Sequence, residues 1–271
     1  MSSGFVQSQN QIYQTPFEID SNQTATYEEM IQFYQQLAES SEYLQLQEFG
    51  KTDIGKPLHL VVISANPSPD HSVERALGKS VVLINNAIHP GEPCGVDASM
   101  MLARNLAFNQ EYRKYLETTT VLIIPAYNIG GMLNRNSYSR ANQLGPESYG
   151  FRGNAQNLDL NRDFVKSDSR NARNFQRLFS LWKPQVFIDT HTTNGADYPY
   201  VMTLISTQKN QLGGPMANYM RNSFTPYLYK SMKNTPYPMC PYVFSKGEPA
   251  NGIADFNDSP RFSTGYAALM H

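Results

Sequence analysis

Cysteine is scarce in this chain of 271 residues, which carries only Cys94 and Cys240. Two cysteines so far apart in the sequence provide neither a disulfide framework nor the closely spaced pair of a zinc knuckle. The sequence therefore predicts two buried thiols.

A strong charge of one sign and long apolar runs are also missing. The formal net charge is −1 and no cluster of lysine and arginine stands out, which argues against nucleic acid or an anionic membrane as a partner. No segment is long and apolar enough to span a bilayer, and the first ten residues lack the basic start and apolar stretch of a secretory signal. We expect a soluble protein. A secreted or periplasmic location stays open, because an engineered start that replaced a removed signal peptide would look the same.

What the chain does have is enough apolar surface for a large core. With 40% hydrophobic residues, this length suits one α/β domain as well as two small ones. We predict a single catalytic domain over 1–271, in which residues 1–24 could be flexible.

Strand and helix signals alternate along the sequence. Thr26 and Glu29 form a capping box ahead of an amphipathic helix that begins at Tyr27. Three early strands, 43–49, 58–63 and 81–84, are expected to form a β-meander. Helices at 93–108 and 169–182 then alternate with strands at 119–124 and 186–190. This order predicts the α/β class, with a mixed, largely parallel twisted sheet and helices on both faces.

Two histidines and a glutamate follow strands of the predicted sheet. His89 and Glu92 come just after the strand at 81–84, and His191 follows the strand at 186–190. Because ligands collect at the carboxyl ends of strands in such sheets, these side chains could converge. Two imidazoles and one carboxylate are the three protein ligands of a catalytic zinc site, which leaves the fourth position open.

A second motif lies in the long polar stretch 128–162. Asp159, Asn161 and Arg162 stand within four residues, and an amide next to a guanidinium suits the recognition of a carboxylate. Carboxylate recognition close to a zinc site indicates exopeptidase chemistry. For Asp159 alone, a loop cap is the simpler alternative.

These motifs, in this order, resemble the zinc carboxypeptidases of the M14 family, and the resemblance runs from about Tyr43 to the end of the chain. It implies a zinc-carboxypeptidase-like fold of the phosphorylase/hydrolase-like type. It also implies one Zn²⁺ ion ligated by His89, Glu92 and His191.

The resemblance further implies roles for the polar stretch. Asn161 and Arg162 would hold the terminal carboxylate of a peptide or protein substrate, while Asp159 would orient His89. Arg152, within 150–154, is the best match to the arginine that polarises the scissile carbonyl. Arg135 and Arg140 lie in the same stretch and are its rivals.

One part of the family pattern is not evident. The family needs a downstream glutamate as general base, and after His191 the only glutamate is Glu248. In the family that base follows a segment similar to 252–256, but no such glutamate occurs before His271. We therefore expect the chain to be a fragment that lacks its C-terminal part. Tyr242 is the nearest candidate for the family's mobile tyrosine and could equally be a core aromatic.

The leading functional hypothesis is a metallocarboxypeptidase that hydrolyses the C-terminal peptide bond by attack of zinc-bound water. A zinc amidohydrolase or deacylase that acts on small acylated amino acids is an alternative with the same ligand logic. A domain that binds zinc and a peptide C-terminus but lacks the general base is the non-enzymatic alternative.

Overall fold

The computed structural model describes residues 13–141, 143–192, 200–207 and 209–242. It divides the chain into two compact units, 1–192 and 193–271, and each is described by itself. The single domain expected from the sequence stays a prediction.

The first unit contains a sheet of five strands. Their order across the sheet is β1, β2, β4, β3, β5. Strand β2 pairs antiparallel with both β1 and β4, whereas β3 pairs parallel with β4 and with β5. The expected β-meander is wrong, because β4 lies between β2 and β3 and only the first two strands form a hairpin. The strands are β1 Leu44–Lys51, β2 Pro57–Ile63, β3 Ser80–Asn85, β4 Thr119–Ile124 and β5 Val186–Asp189.

Helices connect these strands and begin largely where the sequence predicts. The helix at Tyr27 opens with the expected capping box, in which Thr26 and Glu29 bond each other's backbone. Ser169 caps the helix before β5 by accepting a hydrogen bond from Ala172 N. The α-helices are α1 Pro16–Ile19, α2 Tyr27–Ser40, α3 His71–Ala76, α4 Cys94–Phe108, α5 Gln110–Arg113, α6 Ile129–Leu133 and α7 Arg170–Trp182, with short 3-10 helices at Lys114–Glu117 and Leu160–Arg162.

The two faces of the sheet are buried by different helices. On one face, Ile84 of β3 belongs to the same apolar cluster as Met30 of α2 and Met100 of α4. Neighbouring residues of a strand point to opposite faces, so Leu83 lies on the other face, in register with Phe187 of β5. Phe187 there meets the rings of aromatic residues on α7. Helices thus cover both faces, and the predicted mixed α/β class is confirmed.

The described part of the second unit is smaller than that of the first. A parallel pair of strands, β6 and β7, occurs there together with short helices. No helix within the described ranges of the chain is long and apolar enough to cross a membrane. These elements are β6 Met202–Leu204, α8 Lys209–Leu212, α9 Gly214–Tyr219, a π-helix Met220–Phe224, α10 Thr225–Lys233 and β7 Met239–Pro241.

The two cysteines are free, and the prediction that both are buried is wrong, because neither is. Cys94 is exposed and Cys240 is partly exposed. Cys94 is the first residue of α4, where the chain leaves the sheet edge, and Cys240 lies in a short strand of the second unit. Neither position belongs to a closed core.

Candidate metal centre

The centre begins at the turn between β3 and α4. Ala87 takes a left-handed backbone conformation with φ of 53°, which is unusual for a residue with a Cβ. Glu92 N then donates to His89 O at 2.9 Å and closes a tight turn. A Cβ on Gly91 would lie 2.9 Å from the backbone oxygen of Gly150 and 2.7 Å from Arg140 Cδ, so the turn has room only for glycine. This sharp bend brings His89 and Glu92 to the carboxyl end of β3.

His191 reaches the same carboxyl end of the sheet from β5. Asn85, the last residue of β3, pairs with Asp189, the last residue of β5. The segments that follow the two strands therefore leave the sheet side by side. Thr190 N donates to Asn85 O at 3.1 Å and continues the pairing by one residue. On the other side, a Cβ on Gly95 would lie 2.1 Å from Thr190 Oγ1, so the start of α4 presses against the end of β5.

The three candidate ligands meet at the point where these segments converge. His89 Nδ1 lies 3.2 Å from Glu92 Oε1, and His191 Nδ1 lies 2.9 Å from Glu92 Oε2. Potential ligand atoms of all three lie within 4.8 Å of one another, close enough to hold one metal ion. Two imidazoles and a carboxylate are the donors of a catalytic zinc site, so these residues fit zinc. This is the only group of such side chains found in the described parts of the chain.

Asp159 lies behind His89. Its Oδ1 is 3.0 Å from His89 Nε2, the ring nitrogen that faces away from Glu92. The same carboxylate also accepts from Asn161 N at 3.0 Å and so caps the short 3-10 helix. The two roles considered for Asp159, helix cap and partner of His89, therefore occur together.

The three arginines that compete for the role next to the reacting carbonyl have different partners. Arg152 donates to Asp159 Oδ2 at 2.8 Å, its Nη1 lies 3.3 Å from His89 Nδ1, and its side chain is 41% exposed. Arg140 is more enclosed and donates to Glu92 Oε1 at 3.0 Å. Arg135 donates to backbone carbonyls of residues 24, 25 and 148 instead. Of the three, Arg152 combines contact with the centre and access to solvent.

The close packing of charged groups shifts several pKa values. Burial alone would raise the pKa of Glu92, but hydrogen bonds from His191 and His89 outweigh it and hold the pKa well below its usual range. The pKa of Asp159 is also held low, because bonding to His89 and Arg152 outweighs burial. For His191, burial lowers the pKa, yet hydrogen bonds to Asp189 and Glu92 raise it to about 10. The centre therefore favours ionised carboxylates next to a positive charge.

Asn161 and Arg162 lie in the short 3-10 helix directly after Asp159. The side chain of Asn161 is partly buried, whereas Arg162 is exposed. Arg162 Nη1 donates to Asn161 O at 2.9 Å. Both residues therefore follow closely in the sequence after Asp159, which contacts His89.

Several contacts of the centre were not foreseen from the sequence. Asp189 Oδ2 lies 3.0 Å from His191 Nε2, and Thr192 N donates to Glu92 Oε2 at 3.0 Å. The spacing of Asp189 and His191 is a usable signal, because the chain continues its pairing with β3 through Thr190 and residues two apart in an extended segment point to the same side. No such signal marked Arg140 as a partner of Glu92. Glu248 and the segment 252–256 lie outside the described residues.

Comparisons with known proteins identify the family of the chain. The family model for zinc carboxypeptidases, peptidase M14, matches residues 30–238. Carboxypeptidase 2 of Trichophyton rubrum is 29% identical over 167 residues, which are 60% of this chain and 28% of that protein. Probable carboxypeptidase 2 of Arthroderma benhamiae is likewise 29% identical over 167 residues, again 60% of this chain and 28% of the relative. The matched part of the chain thus spans less than a third of the length of these relatives.

Solved structures share the fold. A metallo-carboxypeptidase from Pseudomonas aeruginosa aligns with a TM-score of 0.61 at 15% identity, over 84% of this chain and 54% of that chain. One from Burkholderia cenocepacia aligns with a TM-score of 0.58 at 19% identity, over 80% of this chain and 53% of that chain. Since the family model matches most of the sequence, the chain belongs to the zinc carboxypeptidase family, peptidase M14.

Proposed function

We propose that this chain binds one Zn²⁺ ion through His89, Glu92 and His191 and forms the metal-binding part of a metallocarboxypeptidase. The supporting observation is the convergence of these three side chains, from two distant segments, within 4.8 Å. A zinc ion held there would supply a Lewis acid that activates water and polarises the carbonyl of a C-terminal peptide bond. A peptide or protein C-terminus is the proposed substrate.

The surroundings of the histidines support this role. A histidine that binds a metal through one ring nitrogen usually donates its other N–H to a carboxylate or carbonyl. His89 has Asp159 at Nε2, and His191 has Asp189 at Nε2, each at 3.0 Å. Both rings therefore turn Nδ1 toward Glu92. We assign this nitrogen of each ring to the metal.

Arg152, Asn161 and Arg162 are proposed to act on the substrate. The guanidinium of Arg152 donates to Asp159 Oδ2 from both Nε and Nη2, at 3.1 and 2.8 Å, so it is fixed next to the metal centre while it stays open to solvent. From there it can donate hydrogen bonds to the carbonyl oxygen of the scissile bond as negative charge develops. Asn161 and Arg162 supply the amide and guanidinium donors that suit a terminal carboxylate.

A metal-binding measurement tests the centre directly. The chain should retain one zinc per molecule after dialysis against metal-free buffer, as measured by elemental analysis. His191→Ala should lose that zinc, whereas His71→Ala, a change at the start of α3, should keep it. A His191→Ala variant that retained zinc would overturn the ligand assignment.

Substrate tests distinguish the candidate functions. A carboxypeptidase should release the last residue of a peptide and leave the same peptide with a C-terminal amide intact. Preferential cleavage of N-acetylated amino acids would instead indicate a deacylase. Zinc-dependent binding of the free peptide without turnover would indicate a binding domain.

A further inference from the structure

Behind His191 lies a pair of polar residues with no assigned role. Asp189 Oδ2 is 3.0 Å from His191 Nε2, and Asn85 Nδ2 donates to Asp189 Oδ1 at 2.9 Å. We propose that Asp189, held by Asn85, is a positioning residue that aims His191 Nδ1 at the metal. This inference rests on the proposed zinc centre and adds to it the residues that orient its third ligand.

The geometry of the ring supports the proposal. The two nitrogens of His191 have different partners, because Nδ1 is 2.9 Å from Glu92 Oε2 while Nε2 faces Asp189. An imidazole can rotate or change tautomer unless the nitrogen away from the metal has a fixed acceptor. A carboxylate at Nε2 selects the tautomer whose Nδ1 lone pair is free, and it also makes that nitrogen a stronger donor.

The backbone fixes Asp189 more firmly than a loop would. Asp189 is the last residue of β5 and is directly opposite Asn85 in the parallel pairing with β3. Thr190 continues the attachment through its amide and its hydroxyl, which donate to Asn85 O and Asn86 Oδ1. The carboxylate therefore has little freedom to leave His191.

Asn85 is placed at some cost to the fold. The residue is fully buried, and its Oδ1 has no hydrogen-bond partner among the described residues. A buried acceptor without a partner usually destabilises a protein, so its presence asks for an explanation. The hydrogen bond that Asn85 Nδ2 donates to Asp189 Oδ1 explains why a buried amide occupies this position.

The charges around the centre point to the same conclusion. Asp159 is paired with Arg152, and Glu92 with Arg140. Within the described ranges of the chain, Asp189 has no arginine or lysine at ion-pair distance, and its only charged partner is His191. Since Asn85 is neutral, His191 is the group among the described residues on which the negative charge of Asp189 mainly acts.

Zinc affinity is the first test, measured by competition with a chelator of known affinity, so no enzymatic activity is needed. Replacing a carboxylate behind a metal-bound histidine usually weakens binding by about 10- to 100-fold, and we expect this for Asp189→Asn. Asn85→Leu keeps the carboxylate but removes its donor, so its zinc dissociation constant should rise by a smaller factor. Asp168→Asn, a change at an exposed aspartate, is the matched control and should leave the constant unchanged.

A spectroscopic measurement separates orientation of the ring from a general loss of structure. In the zinc-loaded protein, the Nε2 proton of His191 should give a downfield NMR resonance because it is bonded to Asp189. Asp189→Asn should move this resonance upfield and leave that of His89, which is bonded to Asp159, in place. An Asp189→Asn protein with an unchanged resonance and a constant within about twofold of the wild type would refute the proposal.

The outcomes also separate this inference from the zinc centre itself. Failure of the wild-type chain to bind zinc, or undiminished binding by His191→Ala, would refute the centre. Normal binding by the wild type and loss by His191→Ala, with no effect of Asp189→Asn, would refute only the role of Asp189. If Asp189→Asn does not fold, Asn85→Leu decides, and unchanged zinc affinity in that variant would overturn the proposal.

Discussion

Arg140 Nη1 donates a hydrogen bond to Glu92 Oε1 at 3.0 Å and forms an enclosed ion pair with it. The guanidinium is held from behind, because its Nε donates to Gln143 Oε1 at 2.7 Å. Gln143 in turn donates to Gly91 O at 2.9 Å, in the turn that carries Glu92. Arg140 thus supplies a fixed positive charge to a carboxylate that is almost completely buried.

Arg140→Met should therefore destabilise the metal-free protein. Removal of one partner of a buried ion pair is costly, and we expect a loss of about 2 kcal/mol because Thr192 N and two histidines still contact Glu92. Zinc would replace the missing positive charge, so the zinc-loaded protein should lose less. Urea unfolding in the presence of a chelator and of excess zinc measures both values.

The matched control for this variant is Arg170→Met, at an exposed arginine of α7. This variant should change the unfolding free energy neither with a chelator nor with excess zinc. The thermodynamic cycle also requires Arg140→Met to bind zinc more tightly than the wild type. An equal loss of stability with and without zinc would show that Arg140 does not compensate the charge of Glu92.

Arg162 should give the protein its preference for a free C-terminus. A charge-assisted hydrogen bond contributes about 2 kcal/mol, so the zinc-loaded chain should bind a peptide with a free carboxylate at least ~10-fold more tightly than its amide. Arg162→Met should abolish the difference, and Arg162→Lys should restore part of it, because lysine lacks the two-pronged geometry. Calorimetry with the paired peptides measures this. A preference retained by Arg162→Met would assign the carboxylate to another residue.

Much of the fold follows from local sequence patterns. The capping box at Thr26 and the β-branched run Thr119–Ile124 are local signals, and both elements appear where they were expected. The order of the strands is not a local property. Strand β2 is buried almost throughout, so its sequence does not show whether β3 or β4 lies next to it. That ambiguity is why the meander prediction was wrong.

The candidate centre shows the same limit. His89, Glu92 and His191 were accessible to sequence reasoning because each follows an apolar strand. Asp189 is harder to recognise in the sequence, because it is the last residue of such a strand. Arg140 is 48 residues from Glu92, and only the folding of the long loop brings the two together.

Asn128 is expected to hold two parts of the centre in register. Its Nδ2 donates to Arg152 O at 3.0 Å and to Ile88 O at 3.4 Å, while its Oδ1 accepts from Gly131 N. Asn128→Asp would place a carboxylate oxygen against two carbonyl oxygens, so we expect a loss of about 3 kcal/mol in unfolding free energy. Asn128→Ala removes the donor without adding repulsion and should cost less. Urea unfolding of both variants tests the order, and equal stabilities would contradict it.

Glu74 should make a separate, pH-dependent contribution to stability. Its fully buried carboxylate accepts hydrogen bonds from Thr120, Asn66 and Ser64 and lies 3.5 Å from Lys79 Nζ. Burial would raise its pKa, but these partners outweigh it and lower the pKa below the unfolded value of 4.5. A group with a depressed folded pKa stabilises the protein above the unfolded pKa, and this stability is lost as pH falls through the folded pKa.

Glu74→Gln tests this contribution. At neutral pH the variant should be less stable than the wild type by about 3 kcal/mol, because Lys79 loses its buried partner. Below pH 4.5 the wild-type carboxylate begins to lose its advantage, so the difference between the two proteins should shrink as the pH is lowered further. Urea unfolding at a series of pH values gives this difference, and Glu39→Gln, at an exposed glutamate of α2, serves as the control. A difference that stayed constant or grew toward acid pH would mean that Glu74 is not held as an anion in the folded protein.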